Sequence, residues 1–572
     1  MRWEITQTDE SCAQHLSQRL GITPTAASLL WQRGWQTPED AERFLKPQLR
    51  RLGDPLAVEN LPAAVDRILQ AMHKDESILV FGDYDVDGVT ATTLIVSILQ
   101  RFGVRPKFVV PLRQEEGYGL SIAALERALK REKPDLVIAV DCGTSSRDEV
   151  AWLTEQGIGV VIIDHHTAKE SLPENATLVN PHVHGNEDDE WVDLCAVGLV
   201  FKVVHGLIKV LREEGDAIAK EIDLRDYLDL VAMGTISDLV PLHGENRILA
   251  HNGLISLKNP RRIGLQALYE VAGMQLGEEV DPFDISFRLG PRINASGRLY
   301  DAARPIEMLL GSDMATCRQT AQELDRFNKE RKTVEAAIAE EAKKIAEAEQ
   351  ADAAGIVVYN PEWHTGVVGI VASRLVQRFH RPAIVFGSDG NGTAKGSGRS
   401  IKGIDLVEVL QRCETHLTKW GGHPMAIGVS AEANSIDAFR EAFKASILES
   451  VSGEMPDKTL QIDLEIEPAE LSDHLLKELS QLAPFGQGNR EPVFALTDVK
   501  ANDVRPFGGD KHLRFMINRP GLAPISGIAW NSAEKPLPSG TSVDIAVRFH
   551  WNNWKGRRTP SLTLVDWKPS EN

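Results

Sequence analysis

At 572 residues the chain is too long for a single hydrophobic core, and three or four domains are expected. Its apolar fraction of 42% and charged fraction of 25% are those of an ordinary soluble globular protein, and no stretch approaches eighteen uncharged apolar residues, so a membrane span is not expected. The net charge of −19 argues against a uniformly polyanion-binding surface, but residues 501–572 carry +4 against −23 for the first 500, which permits a local nucleic-acid surface.

The N-terminus (MRWEITQTDE) lacks a basic region followed by an apolar run, so a signal peptide is not expected. Residues 1–60 read as short helices broken by Gly21, Pro24, Gly34, Pro38, Pro47 and Pro55, without evident chemistry. Short apolar β-runs then alternate with helical stretches, the signature of βαβ units and a parallel, doubly wound sheet over residues 61–311. Between Ser312 and Ala354 there is no Gly or Pro, and Ala, Glu, Lys and Gln dominate, so a long connecting helix or helical hairpin is expected over 312–354. A second, smaller α/β unit follows over 355–455. Pro456 opens a region of alternating short strands with frequent Gly/Pro turns, predicting a small β-barrel over 456–572. The five cysteines (Cys12, Cys142, Cys195, Cys317, Cys413) form no C-x-x-C pair, which speaks against a zinc knuckle or disulfide frame and for a reducing cytoplasm.

Three of the apolar strands stop abruptly at acidic residues. Val80-Phe81-Gly82 leads into Asp83-Tyr84-Asp85-Val86-Asp87-Gly88, Ala139-Val140 into Asp141-Cys142-Gly143, and Ile162-Ile163 into Asp164-His165-His166. In open α/β sheets the ligand crevice lies outside the carboxyl ends of the strands, where all three deliver their polar groups. Asp238 closes an apolar helix in Gly234-Thr235-Ile236-Ser237-Asp238. Any one of these aspartates could be a helix cap or turn former. Together they would repel one another strongly, and a cation explains them more economically. Carboxylate and imidazole ligands without thiolate suit Mn²⁺ or Mg²⁺, and a two-ion site suits phosphoryl hydrolysis. Cys142 is a poor ligand for such hard ions.

The Asp164-His165-His166 triplet behind D-x-D-x-D-G resembles the DHH phosphoesterase superfamily. Further segments are similar to its RecJ-type single-strand exonucleases: residues 113–120 (RQEEGYGL), 289–298 (LGPRINASGR), 363–370 (WHTGVVGI), 396–400 (GSGRS) and 421–423 (GGH). The resemblance implies a DHH domain, a DHHA1 domain and an OB-like barrel. It implies hydrolysis of single-stranded DNA from its 5′ end to mononucleotides in recombination and repair, with two Mn²⁺ or Mg²⁺ ions. It also implies contact with single-stranded-DNA-binding protein and a helicase. Carried over by resemblance, Asp83, Asp85, Asp87, Asp141, His165 and Asp238 are the metal-ligand candidates, with Asp141 bridging; which two of the first three bind metal stays open. Asp164 and His166 would act beside the ligands or on the phosphate. Arg113 and a Gly396–Ser400 turn, including Ser397, Gly398, Arg399 and Ser400, would hold the 5′-phosphate. Arg292 and Arg298 would contact following phosphates, and His423 the scissile region. On the barrel, Trp554 and Arg557 of the Trp551–Arg558 segment would stack bases and neutralise phosphates. A phosphodiesterase for short oligonucleotides or cyclic dinucleotides would use the same metal site without needing the barrel, and a catalytically dead strand-binding protein should lack ligands.

Overall fold

The computed structural model describes the chain except residues 113–115, 118, 131, 169–170, 300–301, 389–391, 555–556 and 571–572. Two compact units emerge. The first comprises Met1–Gly290, Ile306–Cys317 and Thr459–Asn572, the second Pro291–Pro305 and Arg318–Lys458.

The chain opens on strand β1 (Arg2–Ile5). Within the first unit, β2 (Ile78–Gly82), β3 (Lys107–Val109), β4 (Leu136–Val140), β5 (Gly159–Ile163) and β6 (Thr177–Val179) form an all-parallel sheet ordered β3-β2-β4-β5-β6. Every residue of β2 and β4 is buried, as expected where helices cover both faces. The order reverses between β2 and β4, the switch point at which doubly wound sheets open a crevice. Three helices frame it: α1 (Val86–Arg101), α2 (Ala196–Glu213) and α3 (Leu228–Ser237), with α4 (Gly244–Leu257) packed on α3.

The long helix is continuous: α5 (Met314–Glu349) runs unbroken through the Gly- and Pro-free stretch. In the second unit its apolar stripe (Ile338, Ala342, Ala346) packs on β7 (Ile356–Tyr359) and β8 (Ala383–Ser388). These join β9 (Thr393–Arg399), β10 (Lys419–His423) and β11 (Ala426–Glu432) in a mixed sheet ordered β10-β11-β9-β8-β7. The Gly396–Arg399 segment is therefore not a turn. It lies in an interior strand whose ladder groups bond β8 on one side and β11 on the other, and its glycines make room: a Cβ on Gly396 would meet the Phe386 ring at 2.6 Å.

The C-terminal region returns to the first unit. Short strands β12 (Thr459–Ile462) and β13 (Leu464–Glu465) and helix α6 (Asp473–Leu482) precede β14 (Phe494–Phe507), β15 (His512–Arg519), β16 (Leu522–Ala529), β17 (Ser542–Trp554) and β18 (Arg557–Pro569). Pairing runs β14-β15-β16-β18-β17, and β17 returns to β14, closing a five-stranded OB-like barrel to which β13 adds a short strand beside β14. The N-terminal segment is not purely helical: β1 pairs in parallel with β12, and helices Glu10–Leu20, Pro24–Gln32 and Pro38–Leu45 bury Leu16, Leu29, Leu30 and Phe44 in one core with the barrel.

Candidate metal centre and strand-binding surfaces

The aspartates of the first motif occupy a loop that folds back on itself. Asp83 follows β2, and Asp85 caps α1, accepting hydrogen bonds from the N–H groups of Asp87 (2.9 Å) and Gly88 (3.1 Å). A Cβ on Gly88 would lie 2.5 Å from the Asp83 carbonyl oxygen, so only glycine permits this return. Asp87 accepts from the N–H groups of Ala196 (2.7 Å) and Val197 (2.9 Å), which fixes its carboxylate at the N-terminus of α2. Space for it comes from Gly234 on α3, where a Cβ would approach Asp87 Oδ1 to 2.7 Å and Val197 Cγ1 to 2.5 Å.

Asp141 adopts a left-handed backbone (φ 62°) directly after β4, a conformation concentrated at functional sites. Leu239, after Asp238, does the same (φ 61°). Three sets of ligating atoms lie within 4.8 Å of one another: Asp83, Asp85 and Asp141; Asp87, His165 and Asp238; and Asp141, His165 and His166. Asp141 belongs to the first and third sets, and its approach to His165 brings the first set next to the second. His165 Nε2 lies 3.4 Å from Asp141 Oδ1, 3.5 Å from Asp238 Oδ2 and 3.9 Å from Asp87 Oδ2. Asp141 Oδ1 and His165 Nε2 are buried with no hydrogen-bond partner among the described residues. Orphaned acceptors of this kind in a carboxylate–imidazole set are what a divalent cation would satisfy.

Electrostatics point the same way. Burial, then the neighbouring carboxylates, push Asp141 well above the carboxylate range, Asp87 to about 7 and Asp238 to about 9. Burial and the charge of His166 lower His165 to about 4, so its imidazole is neutral at pH 7, the ligating form.

Asp164 has a different task. Burial alone would raise its carboxyl, but His166 and Thr144 outweigh that and hold it well below the usual range. It accepts from His166 Nδ1 (2.7 Å) and from the backbone N–H groups of Thr144 (3.0 Å), His165 (2.8 Å) and His166 (3.3 Å). Burial opposes the charge on His166, yet Asp164 raises it to about 9. Asp164 is 1% exposed, whereas the His166 side chain is 38% exposed and faces outward as a cation. Asn180 Nδ2 donates to Thr144 Oγ1 (2.8 Å) and the His166 carbonyl (2.9 Å), bracing the triplet from behind. Ala196, Thr144 and Asn180 are functional residues whose sequence signal is slight, an Asn-Pro pair closing a β-run, and Gly234 is legible only as part of the motif that ends at Asp238.

The phosphate and strand candidates divide. Arg113 lies outside the described residues, and so do the side chains of Arg298 and Trp554. In the second unit, half-buried Arg399 donates to Ser397 Oγ (3.0 Å) and the Gly398 carbonyl (2.8 Å), and burial lowers its pKa. Gly369 packs against this pair, its Cβ position 3.0 Å from Ser397 Oγ. The Ser400 hydroxyl is spent on the Ile404 carbonyl, Arg292 is paired with Asp325 at 2.9 Å, and His423 is exposed on β10. On the barrel, Arg557 is exposed at the head of β18, while Trp551 packs partly against the core beneath the Arg558 guanidinium.

Comparison with known proteins follows this layout. Residues 77–235 match the DHH family N-terminal domain, 352–449 the DHHA1 domain and 462–566 the RecJ OB domain. The chain is 36% identical to the single-stranded-DNA-specific exonuclease RecJ of Bacillus subtilis, covering 100% of this chain and 71% of that protein. It is 35% identical to the Haemophilus influenzae protein of the same name, covering 93% and 94%. The crystal structure of RecJ from Thermus thermophilus in complex with Mn²⁺ superposes with a TM-score of 0.84 at 28% identity, covering 100% of this chain and 80% of that one. The Mg²⁺ complex of the same protein gives 0.78. Among the described residues no helix is long and apolar enough to cross a membrane.

Proposed function

The chain belongs to the RecJ family of single-stranded-DNA-specific exonucleases, and we propose that it hydrolyses single-stranded DNA from the 5′ end, releasing 5′-mononucleotides in recombination and repair. The observation that carries this reading is the convergence of Asp83, Asp85, Asp87, Asp141, His165 and Asp238 at the switch point, with Asp141 Oδ1 and His165 Nε2 buried and unsatisfied. Mn²⁺ or Mg²⁺ held by the Asp83/Asp85/Asp141 and Asp87/His165/Asp238 sets would activate water and neutralise charge on the phosphoryl group in flight.

The protein's own groups do the rest. Asp164 keeps His166 protonated at neutral pH, so the outward imidazolium can donate to a phosphate oxygen and stabilise developing charge. The α2 N–H groups lock Asp87, so its ligand oxygens need no reorganisation. Arg113, Arg292, Arg298, Ser397, Gly398, Arg399, Ser400 and His423 belong to the reading as phosphate and strand contacts, supported by their place in the family's segments. Trp554 and Arg557, backbone partners in the β17–β18 register, belong to the reading as a stacking and phosphate-neutralising hairpin. Contact with single-stranded-DNA-binding protein and a helicase, and work in the cytoplasm, are part of the proposal, supported by the resemblance to the RecJ family.

The test is turnover of long single-stranded DNA against dinucleotides, with Mn²⁺ and with EDTA, for the wild type and Asp141→Ala. Metal-dependent mononucleotide release from the long strand, absent in a folded Asp141→Ala, is expected. Equal or better dinucleotide turnover would place the chain among short-substrate phosphodiesterases instead.

A further inference from the structure

Two phenyl rings project from the segment of the first unit that leads to Gly290, beside the metal-ligand cluster. Phe283 and Phe287 are each 61% exposed and stack with ring centroids 4.6 Å apart and planes 28° apart. Two exposed rings stacked on each other form a joint apolar face, the kind of feature a binding surface uses. The rings stand on a π-helical turn (Asp284–Leu289) whose other face buries Ile285 and Leu289 and packs on α3. Arg288 braces it, bonding the Asp284 carboxylate at 2.8 Å and the carbonyls of Ala272 and Gly273.

Position gives the rings their meaning. Gly290 follows Phe287 by three residues, about 4–5 Å of helical rise. Its Cβ position is 3.2 Å from Ser237 Oγ and 3.5 Å from Val86 Cγ2, and those residues adjoin Asp238, Asp85 and Asp87. On the other side, Pro282 lines a cavity of about 550 Å³ together with Trp551, Asn553 and Arg558 of the β17–β18 hairpin. Arg558 sits 4.8 Å from the Trp551 ring centre and 3.6 Å from Glu279. The segment 282–290 that carries the stack thus runs from the hairpin's cavity at Pro282 to the neighbourhood of the cluster at Gly290. Several acids along it are matched: Glu279 by Arg558, Glu491 by Arg548 at 3.5 Å, and Asp284 by Arg288.

We infer that Phe283 and Phe287 form a base-stacking step for single-stranded DNA, holding bases a few nucleotides behind the scissile phosphate as the strand passes from the barrel hairpin to the cluster. The inference rests on the exonuclease reading. Phenyl faces accept any base, as a sequence-tolerant exonuclease needs, and a stack of two rings at helical spacing presents an edge on which successive bases continue the pile.

The experiment uses the full chain and a 5′-phosphorylated DNA strand of about 20 nucleotides, enough to span one barrel's binding site and reach beyond it. 2-Aminopurine placed near the 5′ end reports stacking with EDTA present, and kcat and KM are read on the same strand with Mn²⁺. Phe283→Ala/Phe287→Ala should abolish the fluorescence quench on binding and raise KM about 5- to 100-fold, with kcat within about twofold. Replacement of both by Trp should keep the quench; replacement by Leu, which is apolar but has no ring, should behave like Ala and carries the comparison if the Ala variant misfolds. Leu variants indistinguishable from wild type, or an Ala variant with unchanged KM but altered sedimentation, would overturn the inference, the latter marking a protein contact. A wild type that fails to degrade the strand with Mn²⁺ would instead refute the exonuclease reading.

Discussion

Replacing Asp238 by Asn should stabilise the metal-free protein while destroying its activity. Burial and the charges of Asp87 and Asp85 raise the Asp238 carboxyl from 3.8 to about 9. A carboxyl whose pKa is raised on folding contributes stability that is complete below the unfolded value near 4 and is lost as pH climbs toward 9. At pH 7 the three-unit gap above 3.8 corresponds to about 4 kcal/mol, at 1.36 kcal/mol per unit. The side chain is 20% exposed, and water reaching it reduces the gain from an amide to about 1–2 kcal/mol. For a unit as large as the first, with its large unfolding entropy, that is a rise of about 1–2 °C in Tm. Thermal shift in EDTA across pH 5 to 9 reads it: the wild-type Tm should fall with pH, and that of Asp238→Asn should fall less. Mn²⁺ should reverse the order, raising the wild type well above the variant. A variant no more stable than wild type at pH 8 in EDTA, or an equal Mn²⁺ shift in both, would refute the claim that this cluster is strained without a cation.

Asp141→Ala should lower kcat by at least about 10³-fold with folding intact, measured by mononucleotide release and circular dichroism, because Asp141 lies in one candidate ligand set and 3.4 Å from His165 of the other. Asp164→Ala should cost about 2–4 kcal/mol, because it strips an acceptor from three backbone N–H groups and the His166 imidazolium. The pair's contribution should be lost in acid as Asp164 protonates, and lost toward pH 9 as His166 deprotonates, so denaturant melts should show the largest variant deficit between pH 5 and 6.5. Gly234→Ala should weaken Mn²⁺ binding at least about tenfold by calorimetry, since its methyl group would displace Asp87.

Much of the site was legible because the sequence writes it in local grammar. Apolar strands that stop at Asp83, Asp141 and Asp164 declare their carboxyl ends, and a parallel sheet brings those ends together. The cap reading and the ligand reading of Asp85 proved compatible, since its carboxylate caps α1 and also lies among the candidate ligand atoms. Gly396–Arg399 misled because glycine and serine favour turns, whereas pairing on both sides overrode that preference in β9. Strand β1 was invisible because its partner, Thr459–Ile462, lies at the far end of the chain. The same distance hid the N-terminal helices' share in the barrel core. The roles of Gly234 and Ala196 were not legible because their contribution is empty space and a backbone N–H, neither of which a residue letter announces.

The central claim is that this cluster, loaded with Mn²⁺ or Mg²⁺, removes nucleotides from one end of one strand. The most direct measurement compares 5′- and 3′-labelled single-stranded and duplex DNA with Mn²⁺, Mg²⁺ and EDTA. Label should be released at once as mononucleotide from the 5′-labelled single strand. The 3′-labelled strand should shorten progressively, and duplex and EDTA samples should stay intact. Immediate mononucleotide release from the 3′ label, or undiminished degradation in EDTA, would contradict the account.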